Sequence, residues 1–208
     1  MAIDLWTTFT FASCVLLIIP GPTILTVISY SVAHGNQAKI PLIAAVALGD
    51  TTALLLSLVG LGAILATSAW LFTIIKLIGG LYLMYLGIKL ICAPCTTLTL
   101  ESAGTLDSRW KLFTNTWLVT ALNPKGIVFF VAFLPQFINQ NEQAAPQLWI
   151  LSITFVVLAT LNSLLYAVFA ARVRRFLISP KTQRRFNIGG GSLLAIAGGW
   201  ALTAKHST

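Results

Sequence analysis

Charge is what this chain has least of. Of its 208 residues only 9% are charged, and only five are acidic. A soluble domain carries about 25% charged residues, so an ordinary soluble domain is excluded. With 57% hydrophobic residues and a mean hydropathy of +0.89, the chain reads as an integral membrane protein. Short alternating apolar stretches are also missing. The apolar residues come in long blocks, which points to helices and away from a barrel. Histidine and cysteine are scarce. His34 and His206 are remote in sequence, and the cysteines are Cys14, Cys92 and Cys95. Cys92-Ala-Pro-Cys95 has C-x-x-C spacing, but no second pair and no nearby histidine completes a metal site. Two plain thiols at a helix end is the simpler reading, and neither metal nor cofactor is expected. A signal peptide is missing too. Asp4 is the only early charge, no small-residue cleavage site follows, and prolines stand where one would be. The first apolar run is therefore read as a retained span.

What is present is room for about six spans and short loops, in a single transmembrane domain over residues 1–208. Span one runs from about Leu5 to Tyr30 and is interrupted at Pro20-Gly21-Pro22, where two prolines and a glycine remove donors and loosen the helix. In lipid such a break is tolerated only where protein or a water-filled cavity covers the freed backbone groups. A polar loop follows from Ser31 to Lys39. Span two runs from about Ile40 to Ala66 and span three from about Leu71 to Ile91, with a turn near Thr67 to Trp70. A longer loop covers Cys92 to Lys111. Span four runs from about Leu112 to Ile138, with a second break at Asn123-Pro124-Lys125-Gly126. Span five runs from about Leu148 to Ala171, and span six from about Phe186 to Thr203. The net charge of +8 is a topology signal in such a chain, and no nucleic-acid partner is expected. The Arg172–Arg185 loop should be cytoplasmic by the positive-inside rule, together with Lys39, Lys89, Arg109 and Lys111. Six spans then place the N- and C-termini outside.

The two halves resemble each other. Ile78-Gly79-Gly80 recurs as Ile188-Gly189-Gly190, and Gly80 to Gly87 has the spacing of Gly191 to Gly198. The Pro-Gly-Pro break of span one has its counterpart in the Asn-Pro-Lys break of span four. Three spans per half is an odd number, so the second half must insert upside down. The expected fold is all-α: a polytopic membrane protein of six transmembrane helices in a 3+3 inverted-topology repeat, with helices 1 and 4 broken. Repeat one covers about 1–95, a flexible cytoplasmic linker about 96–111, and repeat two about 112–208. Transporters of this design hold substrate at the repeat interface, beside the broken helices.

Asp50, preceded by Gly49, is the one acidic residue deep in an apolar span. A carboxylate there costs about 2.5–3.5 kcal/mol on insertion scales, so it needs water, a partner or a proton. It is a candidate proton carrier or contact for a substrate ammonium; the plainer role is a structural pair with a lysine. Lys125 follows the second break and could hold a substrate carboxylate, pair with Asp50, or snorkel to an interface. Lys76 is weighted lower for that last reason. Asn123 and Pro124 complete the second break as Pro20, Gly21 and Pro22 form the first. Asn162 and Tyr166, one turn apart in span five, could face the same cavity. Half-helix N-termini favour anions such as a carboxylate. An acid, a base and two such ends around one cavity suit a zwitterion, hence a small amino acid. The glycines of spans three and six read as packing surfaces. Trp6, Trp70, Trp110, Trp149 and Trp200 read as interface anchors.

Pro20-Gly21-Pro22, Gly49-Asp50, the Gly80-Leu-Tyr-Leu-Met-Tyr-Leu-Gly87 run, Asn123-Pro124-Lys125 and Leu134-Pro135-Gln136-Phe137-Ile138 together resemble the LysE family of bacterial amino-acid exporters, in its RhtB branch. The likeness covers nearly the whole chain. It implies proton-driven export of threonine-, homoserine- or leucine-like neutral amino acids or their derivatives through the bacterial inner membrane. The expected partners are the amino acid, protons and lipid; association with further copies of the chain stays open. One departure is plain. Many members carry an acidic residue in span five, whereas Ala159 to Tyr166 has none and offers Asn162. If that acid carries a coupled proton, this chain couples differently or through Asp50 alone. Two rivals stand beside export. A membrane thiol-redox protein would use Cys92 and Cys95 and fail when both are replaced. A scaffold without transport activity would leave Asp50 and the matched breaks without a purpose.

Overall fold

A computed structural model describes residues 1–67, 69–94, 108–139 and 142–203. Among them no strand occurs. Helix α1 (Ile3–Ile18) stops two residues before Pro20. A residue before proline is pushed out of the helical region, and Ile19 is extended at φ −72°, ψ 113°. Gly21 is extended as well, and α2 (Pro22–His34) starts with proline at its first position, where a missing N–H does no harm. The two halves are bent by 54°. Helix α2 ends at Gly35, whose φ of +58° and ψ of −135° suit only glycine. Helix α3 (Asn36–Thr67) begins at once. The polar loop expected from Ser31 to Lys39 is therefore a single reversing residue.

Helix α4 (Ala69–Cys92) precedes residues 95–107, so Cys95 and most of the expected linker lie outside the described residues. Lys205 and His206 lie outside them as well. Helix α5 (Arg109–Ala121) is capped by Ser108, whose Oγ accepts from the Trp110 N–H. After the second break come α6 (Pro124–Val128), a π-helical turn (Phe129–Phe133) and a 3-10 turn (Leu134–Phe137). Helices α7 (Ala144–Val168), α8 (Ala170–Ile178) and α9 (Pro180–Thr203) complete the chain. The Arg172–Arg185 stretch, expected as a loop, is helical on both sides of Ser179. Arginine and lysine are good helix formers, and Pro180 alone divides the two helices. Asn36–Gly60, Arg109–Phe137 and Ala144–Val168 are long and apolar enough to cross a membrane, and the bent α1–α2 pair qualifies as one further span. The chain is thus a multi-pass helical membrane protein.

In lipid the tails are as apolar as leucine, so helices are held by close packing and polar contacts. The closest packing joins α4 to α9, which run antiparallel. A Cβ on Gly87 would stand 2.5 Å from the Gly191 oxygen, and one on Gly191 would stand 2.5 Å from the Gly87 oxygen. Gly80 and Gly198 meet in the same way one crossing further on: a Cβ on Gly198 would stand 2.6 Å from the Gly80 oxygen. The four glycines that repeat in the sequence therefore touch one another.

A second core fills the space between α1, the π turn and α7. Phe9 meets Phe137 edge-on at 5.3 Å, and Phe130 meets Phe155 edge-on at 4.8 Å. These are favoured ring geometries. Trp6 Nε1 donates to Thr154 Oγ1 at 3.0 Å, tying the start of α1 to α7. At the same end the Met1 ammonium donates to Glu142 Oε2 at 2.9 Å and holds the Glu142 carboxyl below the usual carboxylate range.

Gly87→Ala should lower the unfolding temperature in detergent, because the added methyl meets backbone that cannot move aside. Overpacking of this kind costs about 1–3 kcal/mol. Gly60→Ala, where nothing lies within 4 Å of the new methyl, should leave that temperature level or raise it. Equal stability of the two variants would rule out the close α4–α9 contact.

Candidate substrate cavity

The end of α1 leaves four carbonyls, Leu16 to Ile19, without helical donors. All four are met by side chains from elsewhere in the chain. Lys125 Nζ donates to Leu16 O at 2.7 Å and to Ile19 O at 2.6 Å. Asn162 Nδ2 donates to Leu17 O at 3.1 Å, and Tyr166 Oη donates to Ile18 O at 2.7 Å. A cation at a helix C-terminus also meets the negative end of the helix dipole. Three expected site residues, from α6 and α7, thus converge on the first break.

The second break lies against the first. Asn123 Oδ1 accepts from its own helix at the Lys125 N–H, and Asn123 Nδ2 donates across to Thr23 Oγ1 at 3.1 Å. A Cβ on Gly21 would lie 3.5 Å from the Lys125 Cδ, an ordinary van der Waals distance, so the lysine stem packs directly against the first break. Pro20, Gly21, Pro22, Asn123, Pro124 and Lys125 are therefore neighbours in space.

Gly49 explains how Asp50 reaches them. A Cβ at Gly49 would stand 2.6 Å from the Thr120 Cβ, so the glycine lets α5 press against α3 just before the second break. Trp117 Nε1, donating to Thr52 Oγ1 at 3.3 Å, fastens the same contact. Asp50 then faces a small cavity, lined also by Gly21, Thr23, Asn123, Lys125 and Asn162 on its polar side and by Leu16, Val46 and Phe155 on its apolar side. Asp50 and Lys125 attract each other electrostatically, yet they make no ion-pair contact, and among the described residues Asp50 has no hydrogen-bond partner. Tyr166 reaches the break but does not line the cavity.

The cavity therefore offers one unengaged carboxylate and one ammonium already committed to backbone oxygens. It also offers the first turn of α2, where no side chain caps the N–H groups of Thr23 and Ile24. The sequence reading missed Thr23, although it directly follows the Pro-Gly-Pro motif. It expected the break to free backbone groups that something must cover, but not that Lys125, Asn162 and Tyr166 cover the four carbonyls. Cys92 is exposed at the end of α4, away from this cavity.

Residues 14–205 match the family model described as LysE type translocator. The chain belongs to the LysE type translocator family. The homoserine/homoserine lactone efflux protein of Salmonella typhimurium is 30% identical over 207 residues, covering 100% of both chains. An uncharacterized membrane protein of Vibrio cholerae is 33% identical over 205 residues, covering 99% of this chain and 100% of its own. The leucine efflux protein of Klebsiella pneumoniae is 25% identical over 190 residues, covering 91% of this chain and 88% of its own. No solved structure matches the chain significantly.

Lys125→Met should destabilise the purified protein more than Tyr166→Phe. The first leaves the Leu16 and Ile19 carbonyls unpaired and the second only the Ile18 carbonyl, at about 1–3 kcal/mol for each orphaned group. Thermal unfolding in detergent checks the order, and the reverse order would mean that Lys125 does not hold the end of α1.

Proposed function

We propose that the chain exports small neutral amino acids or their derivatives, of the threonine, homoserine or leucine kind, across the bacterial inner membrane, and that protons drive the step. The observation that carries this reading is Asp50, a carboxylate without a partner, facing a cavity where two broken helices meet. Membership of the LysE family and the printed names of the homoserine and leucine efflux relatives support it, and favour transport over enzymatic chemistry.

Asp50 takes the substrate ammonium or a proton, one excluding the other. The substrate carboxylate lies toward the uncapped N–H groups at the start of α2, which is a better acceptor site than Lys125 while that lysine holds Leu16 and Ile19. This revises the expectation that Lys125 receives the carboxylate. Lys125, Asn162 and Tyr166 hold the break in shape, and Val46, Phe155 and Ala159 leave apolar space for a small side chain.

The domain is read as six spans in a 3+3 inverted repeat. Its third spans are α4 and α9, and the reciprocal glycine contacts between them are what a two-fold relation between halves would produce. The basic end carries Lys39, Arg109, Lys111 and the Arg172–Arg185 segment, and is placed in the cytoplasm. The opposite end, where Met1 meets Glu142, then faces outward with both termini.

The test is counterflow in liposomes holding the purified protein, with an imposed pH gradient. The parent should move leucine or homoserine in response to the gradient. Asp50→Asn should lose gradient-driven uptake by about 10²-fold or more while the protein stays folded; general acid–base groups contribute on that order where a proton must move. Gradient-driven transport by Asp50→Asn at the parental rate would remove Asp50 from the coupling step.

A further inference from the structure

A groove opens on the lipid-facing side, between α1 and α9. It is lined by Val15, Ile18 and Ile19 on one side and Phe186, Gly189 and Leu193 on the other, with Arg185 at one end. Its walls are apolar and exposed: Ile18 is 50% and Leu193 41% open to the surroundings. Gly189 makes the depression, since a Cβ there would meet nothing within 4 Å. Along α9 the series Lys181, Arg185, Gly189, Leu193 advances four residues at a time, so one face passes from two cations through a gap to an apolar wall. Among the described residues neither Lys181 nor Arg185 has an ion-pair or hydrogen-bond partner. Arg184, next in sequence, is different: it donates to the Ile91 carbonyl and fastens α9 to α4.

We propose that this groove binds one anionic phospholipid, its phosphate on Arg185 and Lys181 and an acyl chain lying over Gly189 between Ile18 and Leu193. The charge complementarity selects the occupant. Two unpaired cations at the headgroup end call for a phosphate, and a dry apolar trough below them calls for a chain that a free anion lacks. The groove is also in contact with the first break. Its floor includes Ile19, whose side chain stands 2.6 Å from where a Cβ on Gly190 would be and whose carbonyl accepts from Lys125. A bound chain would brace the broken helix from the lipid side, opposite the lysine.

Purified protein in a neutral detergent, delipidated, is heated with phosphatidylglycerol, phosphatidylcholine or inorganic phosphate at equal concentration. Phosphatidylglycerol should raise the unfolding temperature by on the order of 3 °C or more. Phosphatidylcholine and inorganic phosphate should not. The shift should disappear in the Lys181→Gln, Arg185→Gln double variant. It should also disappear in Gly189→Leu, which fills the trough with both cations intact and has open space for its side chain. Native mass spectrometry should show one retained phosphatidylglycerol per chain in the parent and none in either variant. An equal shift with phosphatidylcholine, or an undiminished shift in Gly189→Leu, would overturn the proposal. A shift with phosphate alone would reduce the site to a free-anion site. A change of oligomeric state in Gly189→Leu with the lipid shift retained would give the groove to a second copy of the chain.

Discussion

Four carbonyl oxygens at the end of α1, those of Leu16 to Ile19, have no helical donor. Each such group left unpaired in hydrocarbon costs several kcal/mol, which no membrane protein of this size tolerates four times over. The chain answers with Lys125, Asn162 and Tyr166, brought from the second half to the first. The answer fixes much else. Lys125 must stand at the start of α6, so the second break has to lie against the first. Asn162 and Tyr166 must lie one turn apart, so α7 runs beside α1. Gly21 lies against the lysine stem, within van der Waals reach of the Lys125 Cδ. The cavity is the space these requirements leave.

The α4–α9 packing is reciprocal, and the chemistry of the two breaks is not. Gly80 and Gly87 of α4 meet Gly198 and Gly191 of α9 in reciprocal fashion, each glycine facing the carbonyl of its opposite number. The breaks obey the same plan, with a residue at the N-cap and a proline at the first helical position in both α2 and α6. The next position differs: Thr23 in the first half, Lys125 in the second. Thr23 accepts from Asn123, and Lys125 reaches back to α1. The two breaks thus share one cation, aimed at one carbonyl end, and one carboxylate, Asp50, beside the space between them.

Much of this was legible from residue types, for reasons that can be stated. Proline acts on its own backbone and on the residue before it, so both breaks were visible locally, as was the apolar block structure. Asp50 was visible because a lone carboxylate in an apolar run is rare. The target of Lys125 was not visible, since backbone oxygens carry no signature in a sequence and a lysine could equally seek Asp50. The glycine repeats were seen as matching spacings, but spacing does not say which helix a small residue faces. Polarity misled in two places. Ser31–Lys39 and Arg172–Arg185 read as loops because polar residues in a membrane protein mark the ends of spans. Yet one glycine at positive φ reverses the chain at Gly35, and helices continue through the arginines. The α1–α9 groove had no sequence signal of its own: Gly189 stood out only as part of the Ile-Gly-Gly repeat and read as a packing surface, whereas a Cβ there would meet nothing within 4 Å.

Asn162 bears on how such a cavity could be coupled to protons. It donates to the Leu17 carbonyl, and an amide does so at every pH. A carboxyl group in its place would face the same oxygen and could donate only while protonated; ionised, it would repel it. An acid at this position, which the family resemblance implies for other members, would therefore make the cap of α1 conditional on a proton. Asn162 makes the cap unconditional, and on the proposed reading it leaves proton sensing to Asp50. Asp50 is not part of the cap. Its protonation therefore changes the charge of the cavity without undoing the bonds that hold the broken helix. The shape of the site and its charge are then set by different residues, and in the proposed mechanism a substrate ammonium would compete with a proton for Asp50 while the bonds that hold the break stay in place.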